Sequence, residues 1–314
     1  MNKRRDKEKK HFNTNYNTMS INQLKFLCIS TIVCLSLLSC GGSDDDENGG
    51  GGTGTQVNAN KNTHPTNKYV TRLEFPRLKG GSSIVITHNT YEKYGVNYSV
   101  EWDVEKKSQR WTAYQMYQGY QGNAGRYNGD PQYPYDPDLP SQYYHERDYF
   151  WGSGFDHGHM IPSADRQFSY SANKQTFYLT NMQPQYNRFN ANLWADLEAK
   201  VRKWTPQSSS DTLYVCTGGT IDNEEHIITR IAGVLIAPKY FYKALLIRNS
   251  MGYKAIGFWM QNENVDRGGD DLKKYACSID ELEDMTGIDF FCNLPDNIGD
   301  KVERSYALNS WGLN

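Results

Sequence analysis

Along most of this chain the apolar residues come in short bursts of strand length. SSIVITHNT and NYSVEWDV, joined by YEKYG, read as two strands, and RWTAYQMY and TFYLTN as two more. TLYVCTGGT, RIAGVLIAPKYFYKALLI and GYKAIGFWMQ continue the series. Gly119 to Pro140 is rich in Tyr, Gly, Pro and Asp, a long loop by composition, and SYSANKQ reads as a turn. In NANLWADLEAKVRKW the spacing is helical instead: at about 100° per residue from Asn190, Trp194 falls near +40°, Leu197 near −20°, Val201 near +20° and Trp204 near −40°. That stripe predicts a core-facing helix, ended by Thr205-Pro206. Glu198 and Arg202 share its flank, at roughly +80° and +120°, in the favourable acid-before-base i,i+4 order. CSIDELEDMTGIDFF predicts a short helix leading into a strand. Strands with scattered helices predict an α+β fold.

Ahead of Tyr69 the pattern changes. A basic run from Lys3 to Lys10 and Lys25 precede an uncharged, mostly apolar segment from Phe26 to Leu38, too short for a bilayer span of about 20 residues and suited to a secretory signal. Its end, Leu37-Leu38-Ser39-Cys40, resembles the bacterial lipobox, which implies cleavage before Cys40, lipidation of Cys40 and a membrane anchor; Met19 is an alternative start. Residues 1–40 are therefore expected to be a lipoprotein signal peptide and 41–68, Gly-rich and polar, a flexible tether. The acidic patch Asp44 to Glu47 resembles export tags of some surface lipoproteins, so the expected location is the outer membrane, with surface exposure or a plain solvated spacer as the two readings of the patch. Residues 69–314 are long enough for one large domain with its own core.

Charge narrows the partners. Of 34 basic and 36 acidic residues, 7 and 6 fall in the first 47 positions, so 27 face 30 in the remainder. A slightly acidic domain lacks the basic footprint of a sequence-specific DNA binder, and a nucleic-acid partner must be held by a local cation cluster and a metal. Of the six cysteines, Cys28 and Cys34 leave with the signal and Cys40 takes lipid. Cys216, Cys277 and Cys292 allow one disulfide, with Cys277 to Cys292 the expected pair and Cys216 a buried strand residue.

The candidate chemistry lies in FDHGHMIPSADR. On a strand, His157 and His159 share a face and could bind a metal with a third ligand, for which His88, His145 and His226 are available. Alternatively, a neutral imidazole takes a proton from water, while a divalent cation and arginines hold the charge on a phosphodiester. Downstream, NMQPQYNRFNANLWADLEAKVR supplies Asn181, Asn190, Glu198 and Arg202 in one unit.

The combination of DHGHMIPSAD, TNMQPQYNRFNANLWADLEAKVR and VCTGGT resembles the DNA/RNA non-specific endonucleases, ββα-metal nucleases whose signature is DRGHxxPxAD followed by N-x-x-P-Q-x(4)-N-x(3)-W-x-x-L-E. The resemblance covers most of 69–314. It implies a central, mostly antiparallel sheet with flanking helices, and Mg²⁺-dependent hydrolysis of DNA and RNA to 5′-phosphate ends, with Mn²⁺ as a substitute. It further implies His159 as general base, Asn190 as the direct metal ligand, Glu198 as its partner through water, Arg202 and Arg126 on the phosphate, Asn181 steadying the backbone of His159, and Asp156 shaping the turn at the substrate side. The departure is His157, where the family most often has arginine. Histidine lacks arginine's permanent charge and fork, so weaker substrate binding is expected in mildly alkaline buffer, unless Lys174 or Arg166 supplies the charge. Two rival readings are a surface protein that binds glycan or another cell-surface ligand through a degenerate nuclease site, and a hydrolase of small phosphodiesters.

Overall fold

Three consecutive strands, the second and third buried on both faces, fold into a meander: β1 (Ser83–Asn89), β2 (Val96–Asp103) and β3 (Ser108–Met116). The computed structural model describes residues 57–90, 95–120 and 122–313. After the long loop come β4 (Asp156–His159) and β5 (Met182–Gln185), which pair only with each other. Then follow β6 (Thr212–Gly219), β7 (Ile227–Ile231), β8 (Leu235–Pro238), β9 (Tyr240–Asn249), β10 (Gly252–Gln261) and the two-residue β11 (Ala276–Cys277). The main sheet runs β1-β2-β3-β6-β9-β10-β11, every neighbour antiparallel, and β7 with β8 forms a small ribbon apart.

Both faces of that sheet are covered, because side chains alternate along each strand. Leu213, Val215, Leu245 and Phe258 meet Trp194, Leu197 and Val201 on one face, together with Met160 and Ile161 that follow β4. Tyr214, Cys216, Ala244 and Leu246 meet Ile279, Leu282 and Phe290 on the other. Among the described residues four α-helices complete the fold: α1 (Tyr170–Gln175), α2 (Ala195–Lys203), α3 (Ile279–Thr286) and α4 (Asp296–Glu303). Each fully buried side chain of the α2 stripe contributes about 1.5–3 kcal/mol, which is what holds this short helix on the sheet.

Several local expectations change. The helical stretch begins with a π-helical turn, Phe189–Trp194, before α2, so the chain widens where Asn190 sits. SYSANKQ is helical, because the Ser169 hydroxyl accepts from the Ala172 amide and caps α1. TFYLTN is not a strand: a 3-10 turn, Leu179–Asn181, delays pairing until Met182. No strand follows α3, which ends at Gly287 in the left-handed region (φ 68°), where glycine carries no Cβ penalty.

The expected tether is too long at its C-terminal end. Asn62 is buried, its amide bonded to the Val70 and Pro76 carbonyls and its backbone to Asn293, while Asn58 donates to the Leu294 carbonyl. Residues 57–68 thus belong to the folded unit. The expected signal peptide, Cys40 and the rest of the expected tether up to residue 56 lie outside the described residues. The expected disulfide is absent: Cys277 and Cys292 are both free, as is Cys216. Cys277 sits in β11 against Gly257, and the Cys292 thiol faces the Phe75 carbonyl, so the two sulfurs serve different neighbours. No described helix is long and apolar enough to cross a membrane.

Candidate active site

The β4–β5 ribbon carries the two histidines in the register Asp156↔Gln185, His157↔Pro184, Gly158↔Gln183 and His159↔Met182. A Cβ on Gly158 would stand 2.3 Å from the Gln185 side chain, so with Gln185 in place this ribbon closes without strain only around a glycine. Immediately after His159 the backbone is clamped by buried Asn181: its carbonyl accepts from Met160 N–H, its Oδ1 from Ile161 N–H (3.0 Å), and its Nδ2 donates to the Ile161 and Thr176 carbonyls. Three of these four hydrogen bonds fix the backbone of Met160 and Ile161, and the fourth ties Asn181 to Thr176.

His159 Nε2 is buried and has no protein partner, while the ring is hydrogen-bonded to the His157 backbone; that bond must fall to Nδ1. Nδ1 is thereby the protonated nitrogen and Nε2 the one with a lone pair. Burial, then the nearby positive charge of Arg126, push the imidazole down to about 3, so it is held neutral. Arg126, exposed in the long loop, lies over the Phe177 ring at 4.6 Å, and Phe177 meets His159 edge-on at 5.0 Å. The loop thus delivers Arg126 to His159.

On the helical side, Asp156 Oδ2 accepts from Asn190 Nδ2 (3.0 Å) and Asn187 Nδ2 (2.9 Å), which ties the π turn to β4. Arg202 does not pair with Glu198 as its helical flank suggests. Its Nη1 donates to Asp165 Oδ1 at 2.9 Å, and Asp165 is buried in the turn that follows β4. Glu198 instead shares a buried electrostatic cluster with Lys243, Asp165 and Arg202; burial pushes the Glu198 carboxyl up and the Lys243 ammonium down. Lys243, on β9, is fully buried over the Trp194 ring at 4.5 Å, with Thr217 Oγ1 3.2 Å from its Nζ.

Three of these residues escaped the sequence reading. Lys243 had a signal, a lone cation inside YFYKALLI, because lysine is almost never fully buried without a charge partner. Asp165 and Gln185 stood inside the quoted motifs without a role. Gln185 is wholly buried and neither atom of its amide has a protein partner.

The His157 ring is enclosed by the protein. Its ring is stacked between Tyr133 (3.7 Å, 4°) and Phe150 (4.3 Å, 19°), and Nε2 lies 2.8 Å from Asp148 Oδ2. A carboxylate only accepts, so Nε2 carries the proton and is committed. Arg166 cannot supply a missing charge either: it is buried, its guanidinium bonded to Asn97, Gln115 and Asp165. Lys174 is exposed, 6.0 Å from the Tyr127 ring. His157 and His159 are not brought together with a third metal-ligating side chain among the described residues. Among the described residues, the His/Cys/Asp/Glu group close enough to hold a metal is His88, Asp136 and Asp138. There His88 Nε2 lies 3.0 Å from Asp136 and Nδ1 3.2 Å from Asp138, one carboxylate per nitrogen, the geometry of a buried imidazolium between two acids.

The residues around Asn190 fit a hard cation. With Nδ2 donated to Asp156, its Oδ1 remains as an oxygen donor, and Glu198 adds a half-buried carboxylate on the following helix. One oxygen ligand plus water suits Mg²⁺.

The family model of the DNA/RNA non-specific endonucleases matches residues 81–297. A nuclease of Nostoc sp. is 29% identical over 234 residues, covering 71% of this chain and 81% of that protein. Nuclease C1 of Cunninghamella echinulata is 33% identical over 168 residues, 51% of this chain and 66% of that one. In fold, the chain resembles the crystal structure of the EndoG/EndoGI complex, with a TM-score of 0.56 and 20% identity over 70% of this chain and 91% of that chain. The chain belongs to the DNA/RNA non-specific endonucleases, metal-dependent enzymes that cut nucleic acids within the strand.

Proposed function

We propose that this enzyme hydrolyses phosphodiester bonds of both DNA and RNA without sequence preference, leaving 5′-phosphate ends, with His159 as general base. The observation that carries the reading is the His159 imidazole itself, neutral, held through Nδ1, with Nε2 buried and unpartnered. Nε2 takes a proton from the attacking water as the water oxygen bonds to phosphorus and the 3′-oxygen departs. The incoming phosphate diester is anionic and comes to lie beside Arg126 and His159, which raises the imidazole's basicity by the same coulombic rule that lowers it in the free enzyme. Asn181 holds the imidazole's backbone, and Arg202, oriented by Asp165, neutralises phosphate charge. Asn190 would hold Mg²⁺ directly and Glu198 through water; bound there, Mg²⁺, or Mn²⁺ in its place, stabilises the charge that builds on the phosphate oxygens. Because the 2′-hydroxyl plays no part in this mechanism, both sugars serve.

The test is cleavage of supercoiled plasmid and of RNA in Mg²⁺. Both are expected to be nicked, with loss of activity in EDTA and a drop of about 10²–10⁴-fold in His159→Ala. Intact substrates with folded protein, Mn²⁺ included, would point instead to a ligand-binding protein. We further propose, on the lipobox-like Leu37 to Cys40, that the mature enzyme is anchored by lipid at Cys40 in the outer membrane. Mass spectrometry of the membrane fraction, with Cys40→Ala as control, decides this.

A further inference from the structure

Trp151 is two-thirds exposed (66%) on a turn closed by Gly152 and Gly154, both with positive φ (73° and 85°). An indole costs free energy in that position, since its large apolar surface stays in water. Its ring centroid lies 5.1 Å from His157 and 6.2 Å from Tyr133. Tyr133 in turn stacks on His157 and stands 6.3 Å from His159 at a steep angle (64°). A continuous tier of rings thus leads from the base nitrogen's own imidazole to an indole open to solvent.

We propose that Trp151 is a stacking platform for an unpaired base of the strand being cut, and that it biases the enzyme toward single-stranded nucleic acid. The proposal rests on the hydrolytic reading above. Every base has a π-face, so stacking on an indole recognises nucleic acid without reading sequence. In a duplex both faces of each base are already covered by neighbours, so only an unstacked nucleotide reaches the ring. The tier's rigidity supports this use: His157 is locked by Asp148 and by rings on both faces, so Trp151 abuts a fixed neighbour.

Steady-state cleavage of a short single strand and of its duplex by wild type, Trp151→Ala, Trp151→Leu and Trp151→Phe tests it. The ratio of kcat/KM for single strand over duplex is expected to fall about tenfold in the Ala and Leu variants, through KM, and to stay within about threefold in Phe, which keeps a ring. Melting temperatures of the four proteins control for folding. An unchanged ratio, or equal losses on both substrates, overturns the proposal while leaving the nuclease intact. If the wild type cuts neither substrate, the hydrolytic reading fails separately. Fluorescence anisotropy of a labelled single strand on metal-free protein then decides the platform: about tenfold weaker binding in Trp151→Ala sustains it and equal binding overturns it.

Discussion

A histidine between two rings with a carboxylate on its outer nitrogen contributes packing, and His157 has that environment. His157→Ala should therefore lower stability by about 3 kcal/mol, the scale for deleting a buried aromatic ring, read by urea denaturation. If stability holds while KM alone rises, the ring contacts substrate and the phosphate-side role expected from its motif position stands. His88 gives a pH dependence. Burial alone would push its imidazole down, but the paired carboxylates of Asp136 and Asp138 outweigh burial and raise it to about 9. The unfolded value is about 6.5, so this contribution is fully present below about pH 6.5 and is lost as the pH rises through about 9. His88→Gln should cost about 3–5 kcal/mol at pH 6 and should flatten the decline in stability between pH 7 and 9.5. An unchanged slope in the variant would remove His88 as its cause.

At the scale of elements, the ribbon and the π turn form the site by meeting at Asp156, whose one carboxylate oxygen takes two asparagine amides. Asp156 thus shapes the site by orienting Asn190. The ribbon's tolerance is small. Gly158→Ala should strain it by about 1–3 kcal/mol and reduce kcat well over tenfold, because His159 is the next residue. Adding Gln185→Ala, which removes the clashing atoms, should recover most of the stability, and calorimetry of the single and double variants measures it. Failure of the double variant to recover would mean that the backbone, not Gln185, rejects a side chain at 158.

For the whole molecule, the N-terminal border and the cysteines are decided by long-range contacts. A chain beginning at Tyr69 loses Asn62 and its bonds to Val70, Pro76 and Asn293, so its melting temperature should fall by about 5 °C or more relative to a chain beginning at Val57. Equal melting temperatures would restore the longer tether. A reducing agent should leave the melting temperature unchanged, since Cys216, Cys277 and Cys292 are all free.

The sequence by itself determined the elements with strong periodicity and the motif residues with fixed spacing. The buried stripe of Trp194, Leu197 and Val201 follows from a 3.6-residue repeat, and the family membership follows from the spacing of Asn181, Gln185, Asn190, Trp194 and Glu198. Both are local patterns, written in one dimension. What only the tertiary structure decided is which charge meets which. The helical repeat brings Glu198 near Arg202, but the fold hands Arg202 to Asp165 and sets Lys243, from a distant strand, in the same buried cluster as Glu198. The identity of His157 suggested a weakened phosphate grip, but Tyr133 from the long loop and Asp148 and Phe150 from the stretch ahead of β4 enclose its ring. Those pairings depend on segments far apart in the chain converging, and no periodicity records where a loop without repeat will settle.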